Sequence, residues 1–362
     1  MARGMACGIK TWLIIALVVL LVAIAIMQIF VQRNTQVPCL FVFGDSLSDS
    51  GNNNNLETLA KVAYPPYGID FPTGPTPTGR YSNGRTAVDK LTELLGFEDF
   101  IPPFSNLSGS NILKGVNYAS GSAGIRRESG TNLGTNLNMG LQLYHHMAIV
   151  SQISARLGFH KAKRHLKQCL YYMNIGTNDY EQNYFLPDSF DTSSKYTPEE
   201  YAKDLINRLS NYLQTLHDLG ARKTVIVGLD RLGCIPRDAI FGSCDEEQNV
   251  QGFYFNDQLK SLVDELNNKP FTNSKYVFIN TTAIIHDKSQ GFTVTEKVCC
   301  PTNKDGVCNP DQTPCQNRNE YVFWDGIHST EAANLVTATI SYSTSNTAIA
   351  HPTNIKKLVQ KK

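Results

Sequence analysis

Residues 39–49 read CLFVFGDSLSD, an apolar run followed at once by a turn of small and polar residues. A short apolar run bounded by turn residues is typical of a strand that is buried on both faces. Four later runs have the same character, and helical patterns lie between them. The five predicted strands are 39–43, 115–119, 169–175, 224–229 and 276–280.

Five helices are predicted from apolar residues that recur every three or four positions. They cover 86–95, 141–157, 198–219, 248–266 and 330–341. The third has clear boundaries, because Thr197 can cap it, Pro198 takes its first position, Glu200 completes a capping box and Gly220 follows its end. Strands alternating with such helices predict an α/β fold, with a parallel sheet covered by helices on both faces. In such sheets ligands bind at the carboxyl ends of the strands, so functional residues are expected directly after them.

The bulk composition is that of one globular domain. The chain has 362 residues, of which 41% are hydrophobic and 18% charged, and its net charge is +1. This balance gives no reason to expect nucleic acid or an acidic polymer as a partner. The Pro- and Gly-rich stretch 64–84 is interpreted as a long ordered loop, with a substrate rim as one role for it. The terminal lysines are expected to form a solvated end; they are Lys356, Lys357, Lys361 and Lys362.

The N-terminus has the pattern of a secretory signal. Arg3 and Lys10 precede an apolar run over 12–29, and polar residues follow from Gln32. The run approaches the length of a spanning helix and no A-x-A site precedes Val37, so an uncleaved signal anchor stays open. We therefore expect a signal peptide or anchor in residues 1–36 and one single domain in residues 37–362. The domain is expected to be secreted, extracellular or in the cell wall, with a membrane as partner only if the segment is retained.

The nine cysteines agree with an oxidising compartment. Cys234 and Cys244 flank a turn-rich stretch and make a plausible local bridge. A later group of four allows three pairings, and adjacent cysteines argue against a four-cysteine zinc site. The group consists of Cys299, Cys300, Cys308 and Cys315. Cys39 and Cys169 lie in apolar strands and are expected to be free buried thiols.

Two N-glycosylation sequons agree with the same secretory compartment. They begin at Asn106 and Asn280, and both are predicted glycosylation sites of a secreted chain.

Ser46 follows the first predicted strand and therefore lies at the expected ligand crevice. A serine hydroxyl is a poor nucleophile until a base removes its proton. The spacing of Asp45 and Asp49 also invites a calcium-loop interpretation, but Ser50 and Leu56 stand where an EF-hand needs glycine and glutamate.

His328 is the best-placed base among eight histidines, because it ends the segment WDGIH (324–328) just before the last predicted helix. Asp325, three residues earlier, can reach the imidazole Nδ1–H and leave Nε2 to accept the serine proton. His286 follows a strand and is a weaker candidate. The remaining histidines are expected on the surface, on helix faces or in the tail; they are His145, His146, His160, His165, His217 and His351.

Acyl transfer also needs hydrogen-bond donors aimed at the developing oxyanion. Gly121 follows the second strand and Asn178 the third, although both residue types also favour ordinary turns. The coincidence of such residues after three strands favours a serine hydrolase, while the G-x-S-x-G elbow of the α/β-hydrolases is absent.

Several ordered blocks resemble the plant GDSL esterase/lipases of the SGNH hydrolase superfamily, over about residues 39–358. The blocks are FGDSLSDSGNN (43–53), YGIDFP (67–72), TGRYSNGR (78–85), GVNYASG (115–121), IGTNDY (175–180), GCIP (233–236) and FWDGIHSTE (323–331). Ser329 departs from the pattern, because the family usually has proline there, but the change touches no catalytic atom.

The resemblance implies Ser46 as nucleophile, His328 as base and Asp325 as the group that orients it. It also implies an oxyanion hole built from the Ser46 N–H, the Gly121 N–H and the Asn178 amide. The implied fold is a three-layer α/β/α sandwich with a flavodoxin-like parallel sheet, and no metal or organic cofactor is expected.

The expected function is therefore a secreted serine esterase or lipase that hydrolyses a small-molecule or polymer-borne carboxylic ester through an acyl-enzyme on Ser46. An acyltransferase with the same triad is one alternative. A non-catalytic protein that binds carbohydrate or lipid on the hydrolase fold is another.

Overall fold

A six-stranded sheet lies at the centre of the computed structural model, which describes residues 35–107, 111–238, 243–269 and 273–360. Its strands are β1 (Leu40–Gly44), β2 (Gly115–Asn117), β3 (Leu170–Asn174), β4 (Lys223–Val227), β5 (Lys275–Ile279) and, after the two strands of a separate sheet, β8 (Ala350–His351). The order is β2-β1-β3-β4-β5-β8, in which only β8 is antiparallel to its neighbour. The separate parallel sheet consists of β6 (Val294–Val298) and β7 (Tyr321–Phe323).

Seven helices longer than one turn accompany the sheet in the described residues. They are α1 (Ala87–Leu94), α2 (Met139–Leu157), α3 (Phe159–Gln168), α4 (Pro198–Asp218), α5 (Glu246–Asn268), α6 (Glu331–Ser343) and α7 (Ile355–Gln360). Single turns lie at Thr177–Asp179 and Thr192–Lys195, and a short π-helix at Tyr180–Tyr184. The predicted capping box of α4, between Thr197 and Glu200, is present.

Alternate residues of each strand point to opposite faces of the sheet, and each face carries its own core. On one face, Phe41 and Phe43 pack with α2, α3, α4 and α5. On the other, Leu40 and Val42 pack with α1, α6 and α7. The result is the predicted three-layer α/β/α arrangement.

The predicted fold class is confirmed, because the first five strands have the 2-1-3-4-5 order of flavodoxin-like sheets. All five predicted strands and all five predicted helices are present, with ends that differ by a few residues. Sequence reasoning missed the short elements, which are α3, α7, β8 and the small sheet.

The C-terminal segment is not merely a solvated end. Ile355, Leu358 and Val359 are buried against the sheet, while Lys356 and Lys357 on the same helix are exposed as expected. The spacing of the three apolar residues is that of a helix face, which the cluster of lysines obscured.

Four disulfides lie in the described residues, and one of them corrects a prediction. Cys39 and Cys169 are bonded to each other instead of being free thiols. They directly precede β1 and β3, which are neighbours, and their Cα atoms are 4.7 Å apart.

The other three bridges involve the cysteines that were predicted to form disulfides. Their pairs are Cys234–Cys244, Cys299–Cys315 and Cys300–Cys308. Because all four sulfurs of the later group are used in disulfides, the zinc alternative has no thiolates left to act as ligands.

The targeting segment predicted for residues 1–36 lies outside the described ranges except for its last two residues. Within those ranges, none of the helices has both the length and the apolar character that crossing a bilayer requires.

His146 lies on α2, in agreement with the expected helix-face position, and its side chain is fully buried. Its Nδ1 lies 3.0 Å from the Tyr118 hydroxyl, and its ring packs edge-on against Phe41 and Phe43. Burial lowers the pKa of His146 to about 3. The folded protein therefore holds this imidazole neutral at pH values where an unfolded chain would protonate it.

We expect His146→Gln to flatten the acid side of the stability profile. Because the folded pKa lies below the unfolded one, stability falls as pH drops below the unfolded value, by about 2 kcal/mol between pH 7 and pH 5. Glutamine can still accept from Tyr118 but does not titrate. Unfolding free energies in urea at both pH values measure the difference, with His160→Gln, an exposed histidine, as control. An equal pH-dependent loss in wild type and His146→Gln would contradict the assignment.

Candidate active site

Ser46 lies in a tight turn directly after β1. The carbonyl oxygen of Asp45 accepts hydrogen bonds from the Ser48 N–H at 3.1 Å and the Asp49 N–H at 3.0 Å. The Asp45 carboxylate accepts another from the Leu47 N–H at 3.0 Å. These bonds hold the turn with half-buried Ser46 in the wall of a cavity at the carboxyl ends of the strands.

Gly44 allows this turn to start close against β3. Its N–H donates to Gln142 Oε1 at 2.9 Å, and Gln142 Nε2 donates back to the Gly44 carbonyl at 2.7 Å. A Cβ at position 44 would lie 2.5 Å from the carbonyl oxygen of Asn174. Glycine is therefore required by close approach of the two backbones.

The structure brings Ser46, His328 and Asp325 together in one hydrogen-bonded chain. His328 Nε2 lies 2.8 Å from Ser46 Oγ. On the other side of the ring, His328 Nδ1 lies 2.9 Å and 3.0 Å from the two carboxylate oxygens of Asp325. With Nδ1–H held by the carboxylate, Nε2 is free to accept the serine proton, which is the arrangement of a Ser–His–Asp triad.

The Asp325 carboxylate is fully buried and accepts bonds on both oxygens. Its Oδ1 accepts from the Ile327 N–H at 2.8 Å and the His328 N–H at 2.7 Å. Its Oδ2 accepts from the Tyr67 hydroxyl at 2.6 Å. Such bonds stabilise the ionised carboxylate and fix its orientation.

Backbone bonds hold the loop that carries Asp325 and His328 against the loop of residues 299–315. The Trp324 N–H donates to the His328 carbonyl at 2.8 Å and closes the turn. The Trp324 carbonyl accepts from the Cys299 and Cys300 N–H groups at 3.1 Å and 2.9 Å. Gly326 N–H donates to the Gly306 carbonyl at 2.7 Å. Two disulfides cross-link this supporting loop.

Gly121, one of the three predicted oxyanion donors, has its N–H engaged elsewhere. That N–H donates to Asp49 Oδ2 at 3.1 Å, while Asp49 Oδ1 accepts from the Gly51 and Asn52 N–H groups at 2.7 Å each. Asp49 thereby ties the Ser46 turn to the segment after β2. In this structure the Gly121 N–H is therefore bonded to a carboxylate and does not point freely into the cavity.

Ser122, the next residue, lies in the cavity wall and, unlike Gly121, has a backbone N–H without an acceptor among the described residues. Its φ of 62° places it in the left-handed region that non-glycine residues rarely adopt. In the described part of the chain, no acceptor pairs with its backbone N–H or with that of Ser46. A non-glycine residue held in this conformation is a frequent feature of functional sites.

Asn178 lies where the sequence predicted, after β3 and in the cavity wall. One hydrogen of its amide is used, since Nδ2 donates to the Ala123 carbonyl at 3.1 Å. The neighbouring Asp179 accepts from the Ile125 and Arg126 N–H groups at 2.7 Å and 2.9 Å. These bonds fix the segment after β2 to the segment after β3 and leave the second amide hydrogen of Asn178 available.

Three buried carboxyl groups around this site hold protons at higher pH than usual. Burial raises the pKa of Asp45 to about 7 and those of Asp49 and Asp179 to about 6, against an ordinary value of 3.8. Because the folded values are raised, the stability that these groups contribute is lost as pH rises from about 4 through about 7. The stability contributed by these carboxyl groups therefore changes with pH in the opposite direction to that contributed by His146.

The cavity has a volume of about 800 Å³, within the range of sites for drug-sized ligands. Apolar side chains form much of its wall, among them Leu59, Leu133, Phe185, Leu186, Ile235 and Ile285. Leu59 and Ile285 remain about two-thirds exposed, at 70% and 68%. Such a wall suits the hydrocarbon part of an ester.

An ion cluster joins the cavity wall to the loop of the triad. The guanidinium of Arg237 pairs with the carboxylates of Glu181 and Asp238, and its backbone N–H donates to the Gly326 carbonyl at 2.9 Å. Glu181 belongs to the short π-helix that follows Asn178. The cluster therefore links the Asn178 segment with the segment that carries His328.

Sequence reasoning missed Tyr67, Asp49 and Arg237, and the loop 64–84 does more than form a rim. Tyr81 lines the cavity, as a rim residue would, but Tyr67 reaches Asp325 from the interior. The weaker base candidate, His286, bonds instead to Thr337 Oγ1 at 3.0 Å. Only the polar residues inside the resembling blocks gave a signal for Tyr67 and Asp49.

A flavodoxin-like sheet with a Ser–His–Asp hydrogen-bonded chain at its carboxyl edge defines the class as a serine-hydrolase fold and site. The GDSL-like Lipase/Acylhydrolase family matches residues 40–339. The chain belongs to this family, and its enzyme class is carboxylic ester hydrolase.

Three relatives from Arabidopsis thaliana cover nearly the whole chain. GDSL esterase/lipase At4g18970 is 43% identical over 96% of this chain and 99% of its own length. GDSL esterase/lipase At1g29670 is 45% identical over 91% and 93%, and GDSL esterase/lipase At1g29660 is 42% identical over 97% and 99%.

We expect Gly44→Ala to destabilise the protein by about 1–3 kcal/mol, because the methyl group overlaps the Asn174 carbonyl. Gly252→Ala, within α5, is the matched control, since the nearest heavy atoms to its new methyl group lie at 3.4 Å, an ordinary van der Waals contact. Its effect should stay within about 1 kcal/mol in either direction. Urea unfolding of the two variants measures both values, and equal stabilities would contradict the close-approach argument.

Proposed function

We propose that this protein is a secreted serine esterase or lipase that hydrolyses carboxylic esters through an acyl-enzyme on Ser46. The observation that carries the proposal is the 2.8 Å contact between Ser46 Oγ and His328 Nε2, with Asp325 behind the imidazole. Family membership supports the ester as substrate class.

In the first step Ser46 Oγ attacks the ester carbonyl while His328 Nε2 takes its proton. Asp325 holds the ring and stabilises the imidazolium. The tetrahedral intermediate collapses, and the alcohol leaves with the proton from His328. A water molecule then gives its proton to His328 and attacks the acyl group, which releases the acid and restores Ser46.

We assign the oxyanion hole to the Ser46 N–H, the Ser122 N–H and the Asn178 amide. Ser122 replaces the predicted Gly121 because its N–H has no acceptor among the described residues, whereas that of Gly121 is bonded to Asp49. Donors held in place before the reaction stabilise the developing charge without reorganisation.

Secretion is supported by features of the chain. The described residues contain four disulfides, which persist in oxidising compartments. The sequon residue Asn106 is exposed and suits glycosylation, whereas Asn280 is half-buried and its amide oxygen accepts from Thr282 Oγ1 at 2.7 Å.

We expect Ser46→Ala to abolish both ester hydrolysis and labelling by a fluorophosphonate probe, because no other hydroxyl in the described site forms a hydrogen bond with His328. Ser48→Ala, a buried serine two positions later in the same turn, is the control and should keep both. Melting curves establish that the variants are folded. Labelling that persists in Ser46→Ala would refute the assignment of the nucleophile.

We expect Asn178→Ala to lower kcat by roughly 10²–10³-fold, the loss typical of one oxyanion donor. Asn132→Ala removes an exposed amide from the same cavity wall and should change kcat little. Steady-state kinetics on a p-nitrophenyl ester measure both. A loss below about threefold in Asn178→Ala would assign the residue to structure, through its bond to Ala123, instead of to charge stabilisation.

The acyltransferase alternative differs only in the acceptor of the acyl group. Product analysis of the wild-type reaction with alcohols present in water separates the two, because a transferase forms a new ester and a hydrolase forms the free acid. Ser46→Ala serves as the blank.

A further inference from the structure

Tyr67 connects the triad carboxylate to the disulfide-bonded loop. Its side chain is 1% exposed, and its hydroxyl makes two hydrogen bonds. It donates to Asp325 Oδ2 at 2.6 Å and accepts from the Cys308 N–H at 3.0 Å. A phenol has one hydrogen to donate, so the bond from Cys308 directs that hydrogen to Asp325.

The hydrogen bond from Tyr67 completes the set of hydrogen bonds that fixes the plane of the Asp325 carboxylate. Oδ1 of Asp325 is held by the N–H groups of Ile327 and His328, which lie on its own turn. Among the residues that the structure describes, Oδ2 has only Tyr67 as a donor in addition to the imidazole. Without the hydroxyl, one oxygen that contacts the imidazole would have no other donor.

The anchor of Tyr67 is itself covalently fixed. Cys308 is bonded to Cys300, and the Cys300 N–H donates to the Trp324 carbonyl at 2.9 Å. The same disulfide therefore joins the residue that directs the Tyr67 hydroxyl to a residue that holds the triad loop. Edge-to-face contacts with Trp324 and Tyr81, at 6.3 Å and 6.4 Å between ring centres, keep the Tyr67 ring in place.

Burial and the nearby Asp325 carboxylate raise the pKa of Tyr67 well above its usual range. The phenol therefore stays protonated and acts only as a donor toward the carboxylate.

We propose that Tyr67 is a positioning residue for the triad, which orients Asp325 and through it the imidazole of His328. The proposal rests on the proposed function, since it assumes that His328 activates Ser46. Tyr67 touches neither Ser46 nor His328 through a hydrogen bond, so its effect is expected on the rate of the chemical steps and not on substrate binding.

Tyr67→Phe tests the proposal, because it removes one oxygen and keeps the ring. We expect kcat to fall by about 10- to 100-fold, the equivalent of one hydrogen bond to a charged group, with KM unchanged. The rate of fluorophosphonate labelling should fall by a similar factor, because it reports activation of Ser46 without ester turnover.

Tyr64→Phe is the matched control. The Tyr64 hydroxyl donates to the carbonyl of the same Cys308 at 2.9 Å but does not bond Asp325. The substitution Tyr64→Phe thus removes a hydrogen bond to the same loop. Because the triad keeps all of its own hydrogen bonds, kcat should stay within about twofold of wild type. Both variants are compared at a temperature where circular dichroism shows them folded.

The double variant Tyr67→Phe/Asp325→Asn supplies a second measurement that does not depend on stability. If Tyr67 acts through Asp325, its substitution should cost little further activity once that carboxylate is gone. Additive losses, equal losses in Tyr67→Phe and Tyr64→Phe, or an unchanged kcat in Tyr67→Phe would each overturn the proposal. Failure of the proposed function is distinguishable, because it would appear as labelling that persists in Ser46→Ala.

Discussion

The parallel hydrogen bonding of β1 between β2 and β3 is the constraint on which the rest of the structure depends. It buries β1 on both edges and makes three strands end side by side. The segments that follow them carry Ser46, Ser122 and Asn178, so the proposed nucleophile and the proposed oxyanion donors share one edge of the sheet. Asp49 and Asp179 then bond across these segments and hold them in register.

The other half of the site is held by a different kind of structure. Asp325 and His328 lie on a turn that precedes α6 and belongs to no strand of the main sheet. Backbone bonds to Arg237 and to a disulfide-linked loop fix this turn instead, together with the side chain of Tyr67. One half of the site thus lies on the rigid edge of the sheet and the other half on a loop. In that loop, covalent cross-links replace the rigidity that strands would supply.

Local patterns were sufficient for the five main strands, for five of the helices and for the pairs that lie close in sequence. Asp325 and His328 could be predicted because they sit within one turn, and the five main strands because each is an apolar run with clear ends. Residue pairs that meet because of the strand order or the path of a loop could not be predicted in this way. Cys39 and Cys169 are 130 residues apart and meet only because β1 and β3 are neighbours. Tyr67 meets its carboxylate across 258 residues.

Ser46 and His328, the proposed nucleophile and base, lie 282 positions apart, near opposite ends of the chain. During synthesis from the N-terminus, β1 and its turn are made first, yet the imidazole arrives only after β5 and the cross-linked loop. A chain that stops short of His328 therefore lacks the proposed base for Ser46. Contacts of such long range also form slowly, because loop closure must precede them. In the proposed mechanism, hydrolysis therefore requires the chain to be synthesised and folded beyond His328.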